Sequence, residues 1–188
     1  MDSLLPHRDS PALTLVHPTP AEQHEQTLNN SKIWRGALAL DPYIRREQHL
    51  ANLQLTKEGG ITFWVLVDSN EQVPDGSNRT VLAGCETLRK RALVAEDNVV
   101  KDATCHGVAS VFSPEKYRGQ GYGARMIEEL GKQLKTWQRT EGRPQLSVLY
   151  SDIGKKFYAK HNWRPYPSSH IHLPPLRTSA SVTIHLPQ

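Results

Sequence analysis

Three glycines at alternate positions, Gly119, Gly121 and Gly123, follow a β-branched run and open an amphipathic stretch. The run is Val108-Ala109-Ser110-Val111-Phe112, closed by Ser113-Pro114, and the stretch carries Met126, Ile127, Leu130, Leu134 and Trp137 at helical spacing. A strand passing through a glycine turn into a helix builds an anion site. The first amides of the helix lack partners, and the aligned peptide dipoles favour negative charge there. Glycines also let the main chain approach a phosphate without a Cβ in the way. The spacing is G-x-G-x-G, not the G-x-G-x-x-G of a Rossmann turn, and the Gly-Lys-Ser/Thr of a P-loop is missing. The glycines alone suit equally a loop that holds no ligand.

The surrounding pattern predicts an α/β chain with a mixed sheet. Residues 13–16 read as a first strand. Thr19-Pro20-Ala21-Glu22 reads as a capped helix start running to about residue 30, and a second helix is expected from Asp41-Pro42 to about residue 55. Residues 61–67, 80–88 and 103–112 read as strands, the first two joined as an antiparallel hairpin by a long loop containing Pro74, Asp75 and Gly76. A helix over 121–139, a strand over 146–150, a short helix over 152–161 and an edge strand over 163–173 complete the order. Residues 1–12 read as a flexible tail, 13–175 as one domain and 176–188 as an irregular tail.

Composition narrows the partners. The 188 residues carry a formal charge of +4, too little for nucleic acid without a concentrated basic patch, yet suited to a polyanionic small ligand. No apolar run spans a bilayer and the first residues do not read as an export signal, so a cytoplasmic protein without a membrane partner is expected. Cys85 and Cys105 lie in apolar stretches and read as buried free thiols. His170-Ile171-His172 has the look of a metal-ligand pair, but with no further donors clustered near it no metal is expected.

Arg118-x-x-Gly121-x-Gly123 resembles the Gln/Arg-x-x-Gly-x-Gly/Ala motif of the GNAT superfamily of N-acetyltransferases, with that motif's strand before it and amphipathic helix after it. The resemblance implies the acyl-CoA N-acyltransferase fold, a central mixed sheet flanked by helices, and acetyl-CoA as co-substrate. It places the pyrophosphate on the amides of Arg118, Gly119, Gln120, Gly121, Tyr122, Gly123 and Ala124, and the pantetheine arm beside Val111, Phe112 and Ser113. Lys116, Arg118 and Arg125 are near enough in sequence to help neutralise it. A second stretch, Tyr150-Ser151-Asp152-Ile153-Gly154-Lys155-Lys156-Phe157-Tyr158, resembles the next superfamily motif. There Ser151 replaces the usual Asn contact and Gly154 the usual Ala.

The chemistry assigns tasks to these positions. A phenol near the departing sulfur can protonate it, and the resemblance gives that role to Tyr158, with Tyr150 as the second choice. An aromatic packed on the inner face of its helix is the alternative. An alkyl amine has a pKa near ~10.4, so its proton must be removed before attack. His106 and Glu86, on neighbouring strands, are the two candidate bases; a merely hydrogen-bonded strand histidine is the plainer reading of His106.

The wording Gly107-Val108-Ala109-Ser110-Val111-Phe112, the Tyr150 to Tyr158 stretch, and Trp163-Arg164-Pro165 with His170 resemble the fungal lysine N-acetyltransferase family. This implies a small-molecule amine acceptor, L-lysine in the first instance. Lysines or N-termini of proteins are the second reading, and a non-catalytic acetyl-CoA-binding module the third. The family's further C-terminal region is not matched by residues 176–188, which read as a shortened continuation.

Overall fold

β-Branched and aromatic residues concentrated at positions 61–68 form an inner strand of a single sheet. The computed structural model describes residues 5–73, 77–167, 169 and 171. Its five strands are β1 (Leu13–Val16), β2 (Ile61–Asp68), β3 (Ala83–Glu96), β4 (Val99–Phe112) and β5 (Gln145–Leu149), and they neighbour one another in chain order. The first four pair antiparallel, and β5 joins β4 in parallel. A parallel neighbour requires a crossover, which α3 (Tyr122–Gln133) supplies. α1 (Pro20–Trp34) and α2 (Leu40–Ala51) connect β1 to β2, and α4 (Lys155–Ala159) follows β5.

Alternation along the strands divides the side chains between two faces. Trp64 and Leu66 of β2, Cys85 of β3 and Val108 of β4 meet Met126, Ile127 and Leu130 of α3 in the main core. Across that face the Trp64 indole N–H donates to the Thr87 hydroxyl at 2.9 Å. Val65 and Val67 point the other way and cluster with Val81. Cys85 and Cys105 are buried and free, and their strand positions put them on opposite faces.

α1 is held at a fixed height over its face by its own first turn. Thr19 caps it, Pro20 sits at its start, and Glu22 completes a capping box, its carboxylate accepting from Thr19 N at 2.8 Å. Glu22 is 1% exposed and also receives two guanidinium bonds from Arg79, both 2.8 Å. The Arg79 guanidinium holds the Glu22 carboxyl below the usual carboxylate range. Breaking a buried pair of this kind by removing one partner costs about 3–5 kcal/mol. The pair ties α1 to the segment entering β3, and so positions Asn30, further along α1, over the middle of the sheet.

Strands β3 and β4 are longer than the sequence pattern indicates. The extra length is a two-stranded ribbon from Arg89 to Ala103 that outruns the pairing of β2 with β3 and of β4 with β5. Both of its faces are largely wet, so no apolar alternation marks it. The turn that closes it is Asp97-Asn98, with φ of 50° and 59°, the left-handed pair a tight hairpin requires. Residues 163–167 form no strand, which Pro165 and Pro167 explain by removing donors. His170, His172 and residues 176–188 lie outside the described residues. Among the described residues no helix is long and apolar enough to cross a membrane.

Candidate functional site

The end of β4 extends past the last residue of β5 just before the glycine turn. Pairing of β4 with β5 runs from Thr104–Gln145 to Val108–Leu149 and stops, while β4 continues to Phe112. On its other side β4 carries a bulge: Glu86 faces Ala109 and Gly84 faces Phe112, so Ser110 and Val111 together oppose Cys85. Ser110 adopts φ 52° there. A bulge increases local twist.

A 3-10 turn, Glu115–Tyr117, leads to the glycines. Gly119 and Gly121 have φ of 78° and 86°, and Gly121 is the N-cap of α3. No side chain caps the helix and no acid lies in its first turn, so its first amides keep their capacity for an external anion. A Cβ on Gly119 would meet open space, whereas one on Gly123 would lie 3.4 Å from the Ser113 hydroxyl. Arg118, Gly119 and Gln120 are exposed, and Gly121, Gly123 and Ala124 half-buried. This uncapped set of main-chain donors fits a pyrophosphate.

The N-terminal segment, which the sequence suggested was loose, packs beside this turn. The buried Tyr122 side chain donates its hydroxyl to Pro6 O at 2.7 Å. Arg8 lies across Gly121, its Cδ 2.7 Å from where a Cβ would sit, and pairs with Glu128 at 3.2 Å. Glu128 also receives His161 at 3.3 Å. No sequence pattern announces these contacts: Pro6 offers a main-chain carbonyl that any residue would supply, and Arg8 pairs with a carboxylate 120 residues away.

On the opposite face from α3, a cleft of about 1180 Å³ opens between α1, α2 and the strands β2 and β3. Ile44, Leu50, Ile61, Phe63 and Leu88 give it an apolar wall, and Glu86, Asn30, Tyr43 and Glu47 give it polar groups. Glu86 accepts from Asn30 Nδ2 at 3.3 Å and from the Ser110 hydroxyl. Burial nevertheless pushes its carboxyl up to about 7, the Ser110 bond opposing and Glu47 reinforcing the rise. Burial, aided by Glu47 and Glu86, pushes the Tyr43 phenol up to about 12.

No family model matches the chain. Among curated proteins it is 26% identical over 171 residues to an uncharacterized protein of Saccharomyces cerevisiae, an alignment covering 78% of this chain and 41% of that protein. The chain thus spans less than half the length of the relative it matches. Among solved structures it resembles the glucosamine-6-phosphate N-acetyltransferase of Arabidopsis thaliana, with TM-score 0.51 and 13% identity over 88% of this chain and 99% of that one. An acetyltransferase of Trypanosoma brucei superposes with TM-score 0.54 and 14% identity over 86% and 99%. A transcriptional regulator of Bacillus halodurans does so with TM-score 0.56 and 12% identity over 86% and 99%. The fold is that of the acyl-CoA N-acyltransferases. The regulator shows why the fold alone does not name a reaction.

Placed on the acyltransferase fold, the sequence-derived residues separate into groups. Glu86 alone of the two candidate bases faces the cleft. His106 pairs across the ladder with Arg89, one residue out of step with Glu86, and so points to the α3 face. There it is 0% exposed, with Nε2 3.2 Å from Gln138 Oε1, and burial pushes its imidazole below the usual range. His106 is thus enclosed on the α3 face, away from the cleft that Glu86 faces. Tyr158 sits in the main core at 8% exposure, beside Cys85 and edge-on to Phe157. Tyr150 is 93% exposed.

The turn residues of the acyltransferase fold contribute main chain more than side chain. The Arg118 guanidinium donates to Ser113 O at 3.1 Å and lies over the Phe112 ring, which closes the turn on itself. Arg125 is spent on Glu129 at 3.0 Å and on the carbonyls of Arg8 and Leu13, turned toward the N-terminal segment. Lys116 lies over Tyr117. Val111 packs against the core, and Phe112 meets Trp34 of α1 edge-on. Ser151 is exposed and accepts from Ile153 N at 3.3 Å, which orders its own loop.

Proposed function

We propose that this chain is an N-acetyltransferase that moves an acetyl group from acetyl-CoA to the primary amine of a small molecule, by direct transfer in a ternary complex. The side-chain amine of L-lysine is the preferred acceptor. The observation that carries the reading is the position of Glu86: a carboxyl raised to about 7, in a cleft, on the strand beside the bulged end of β4 that leads into the uncapped helix. The yeast relative carries no described activity, and the solved structures support the fold.

The amides from Arg118 to Ala124 would hold the pyrophosphate, and Val111 and Ser113 would flank the pantetheine arm. When bound, acetyl-CoA supplies the activated thioester carbonyl. Glu86 takes a proton from the acceptor nitrogen and returns it to solvent. Its raised pKa makes it a stronger base than an ordinary carboxylate while leaving a large ionised fraction near neutral pH. The apolar wall of the cleft favours the neutral amine by desolvating the ammonium. By the resemblance, the Tyr158 hydroxyl gives its proton to the departing sulfur and regains one from solvent; burial raises the phenol above its ordinary value, so it is protonated at the start of each turnover though a weaker donor than a free phenol. Most of the rate then comes from holding the two reactants together.

Calorimetric titration of the chain with acetyl-CoA, followed by mass analysis of an amine panel that includes L-lysine and lysine peptides, tests the proposal. Saturable binding and acetyl-lysine are expected; a folded chain that binds no acetyl-CoA would overturn it. Tyr158→Phe is expected to lower kcat by about 100-fold or more with acetyl-CoA affinity retained. Unchanged turnover would remove Tyr158 from the reaction.

A further inference from the structure

The cleft contains a cation that the transfer of an acetyl group does not require. Arg89, Lys90 and Arg91 follow one another on β3 and all border the cleft, but alternation and pairing leave them in different situations. Arg89 pairs with His106 on the α3 face. Arg91 is committed to Asp102, with bonds of 3.0 and 2.9 Å. Lys90 is in step with Glu86 and Leu88, and so shares the cleft face with them. Among the described residues it has no ion-pair or hydrogen-bond partner within reach.

Lys90 is exposed, yet its side chain runs back across the sheet toward β4. Its Cε and Nζ both lie 3.4 Å from where a Cβ on Gly107 would be. Gly107 pairs with Leu88, and Ala109 pairs with Glu86. The ammonium therefore stands about two strand residues from Glu86, roughly 7 Å along the sheet. Leu88 lies level with the ammonium on β3, and Ile61 and Phe63 on the adjoining strand continue the apolar wall toward Glu86. A proton acceptor and a cation thus stand about two residues apart on one face of the sheet, beside an apolar wall.

We propose that Lys90 binds a carboxylate of the acceptor, so that the cleft selects an amine carried several methylenes away from an acid. The inference rests on the acetyltransferase reading and adds to it the acceptor's second functional group and the residue that recognises it. The amine nitrogen lies at Glu86, the methylenes lie along the apolar wall, and the carboxylate meets the Lys90 ammonium. Gly107 keeps the floor low enough for the lysine side chain to lie flat.

The test uses a matched pair of acceptors, ε-aminocaproate and n-hexylamine, which differ in the carboxylate. The wild-type chain is expected to prefer ε-aminocaproate in kcat/KM by about 10- to 100-fold, the value of a hydrogen bond to a charged group. In Lys90→Ala that preference collapses to near unity, and Lys90→Arg restores part of it. Lys101→Ala, at the far end of the ribbon, keeps the preference. Calorimetric binding of ε-aminocaproate alone separates the two levels of the proposal. If binding depends on Lys90 and neither amine is acetylated, the carboxylate anchor stands and the transferase reading fails. If acetylation proceeds with the same preference in wild type and Lys90→Ala, the anchor is overturned and the transferase reading stands. A wild-type chain that neither binds nor prefers the carboxylated amine overturns the anchor as well.

Discussion

Glu86→Gln lowers kcat for amine acetylation by about 100-fold or more while acetyl-CoA binds as before. The substitution keeps the shape of the side chain and can retain a bond to Asn30, so it removes the proton acceptor with little change to the packing. The pH profile makes the result specific. Glu86 must be ionised to act, and burial has pushed its carboxyl up to about 7. The wild-type kcat/KM should therefore rise with pH through that region, one proton at a time, and level off above it. In Glu86→Gln the residual rate should lack that limb. A variant with a large rate loss and an unaltered acid limb would mean that another group titrates, and Glu86 would be reduced to a structural role.

That carboxyl was legible in the sequence only as one of two candidates. His106 and Glu86 lie on adjacent strands, and nothing in residue type separates them. What separates them is register: Glu86 pairs with Ala109, and His106 with Arg89, so the two side chains leave the sheet on opposite faces. Register between strands distant in sequence is fixed by the turns and by a bulge at Ser110-Val111 that no composition signal marks. The α3 junction was legible because local rules make it, a strand followed by alternating glycines and a helical stripe. The cap at Thr19 and Glu22 was legible for the same reason, since capping chemistry is confined to four residues. The ribbon beyond Leu88 was missed because strands wet on both faces carry no period-two alternation. The packing of Pro6 and Arg8 on α3 was missed because the Pro6 carbonyl has no residue identity and the Arg8–Glu128 pair joins positions 120 residues apart.

Gly121→Ala is expected to weaken acetyl-CoA binding by about ten-fold or more and to lower the unfolding temperature, with a milder loss of stability for Gly119→Ala. Both positions have left-handed backbone, φ 86° and 78°, which costs an alanine about 1–2 kcal/mol, or a factor of about 5–30 in an equilibrium. They differ in what surrounds the added methyl. At Gly119 it enters open space, so the cost is the backbone term alone. At Gly121 it lands 2.7 Å from Arg8 Cδ and 3.3 Å from Arg8 Cβ. Arg8 is not free to withdraw without loss, because it is paired with Glu128, which also anchors His161. Calorimetry with acetyl-CoA, run alongside thermal unfolding, separates the two contributions in the double variant Gly121→Ala/Arg8→Ala. Removing Arg8 relieves the clash and should recover part of the stability, whereas the backbone strain at the helix N-cap remains and the coenzyme should still bind weakly. If the double variant regains wild-type affinity, the steric contact with the N-terminal segment governs the site and the amide geometry is secondary. If Gly121→Ala alone binds and unfolds like the wild type, the turn tolerates a side chain at its N-cap, and the anion site does not depend on the glycine that defines it.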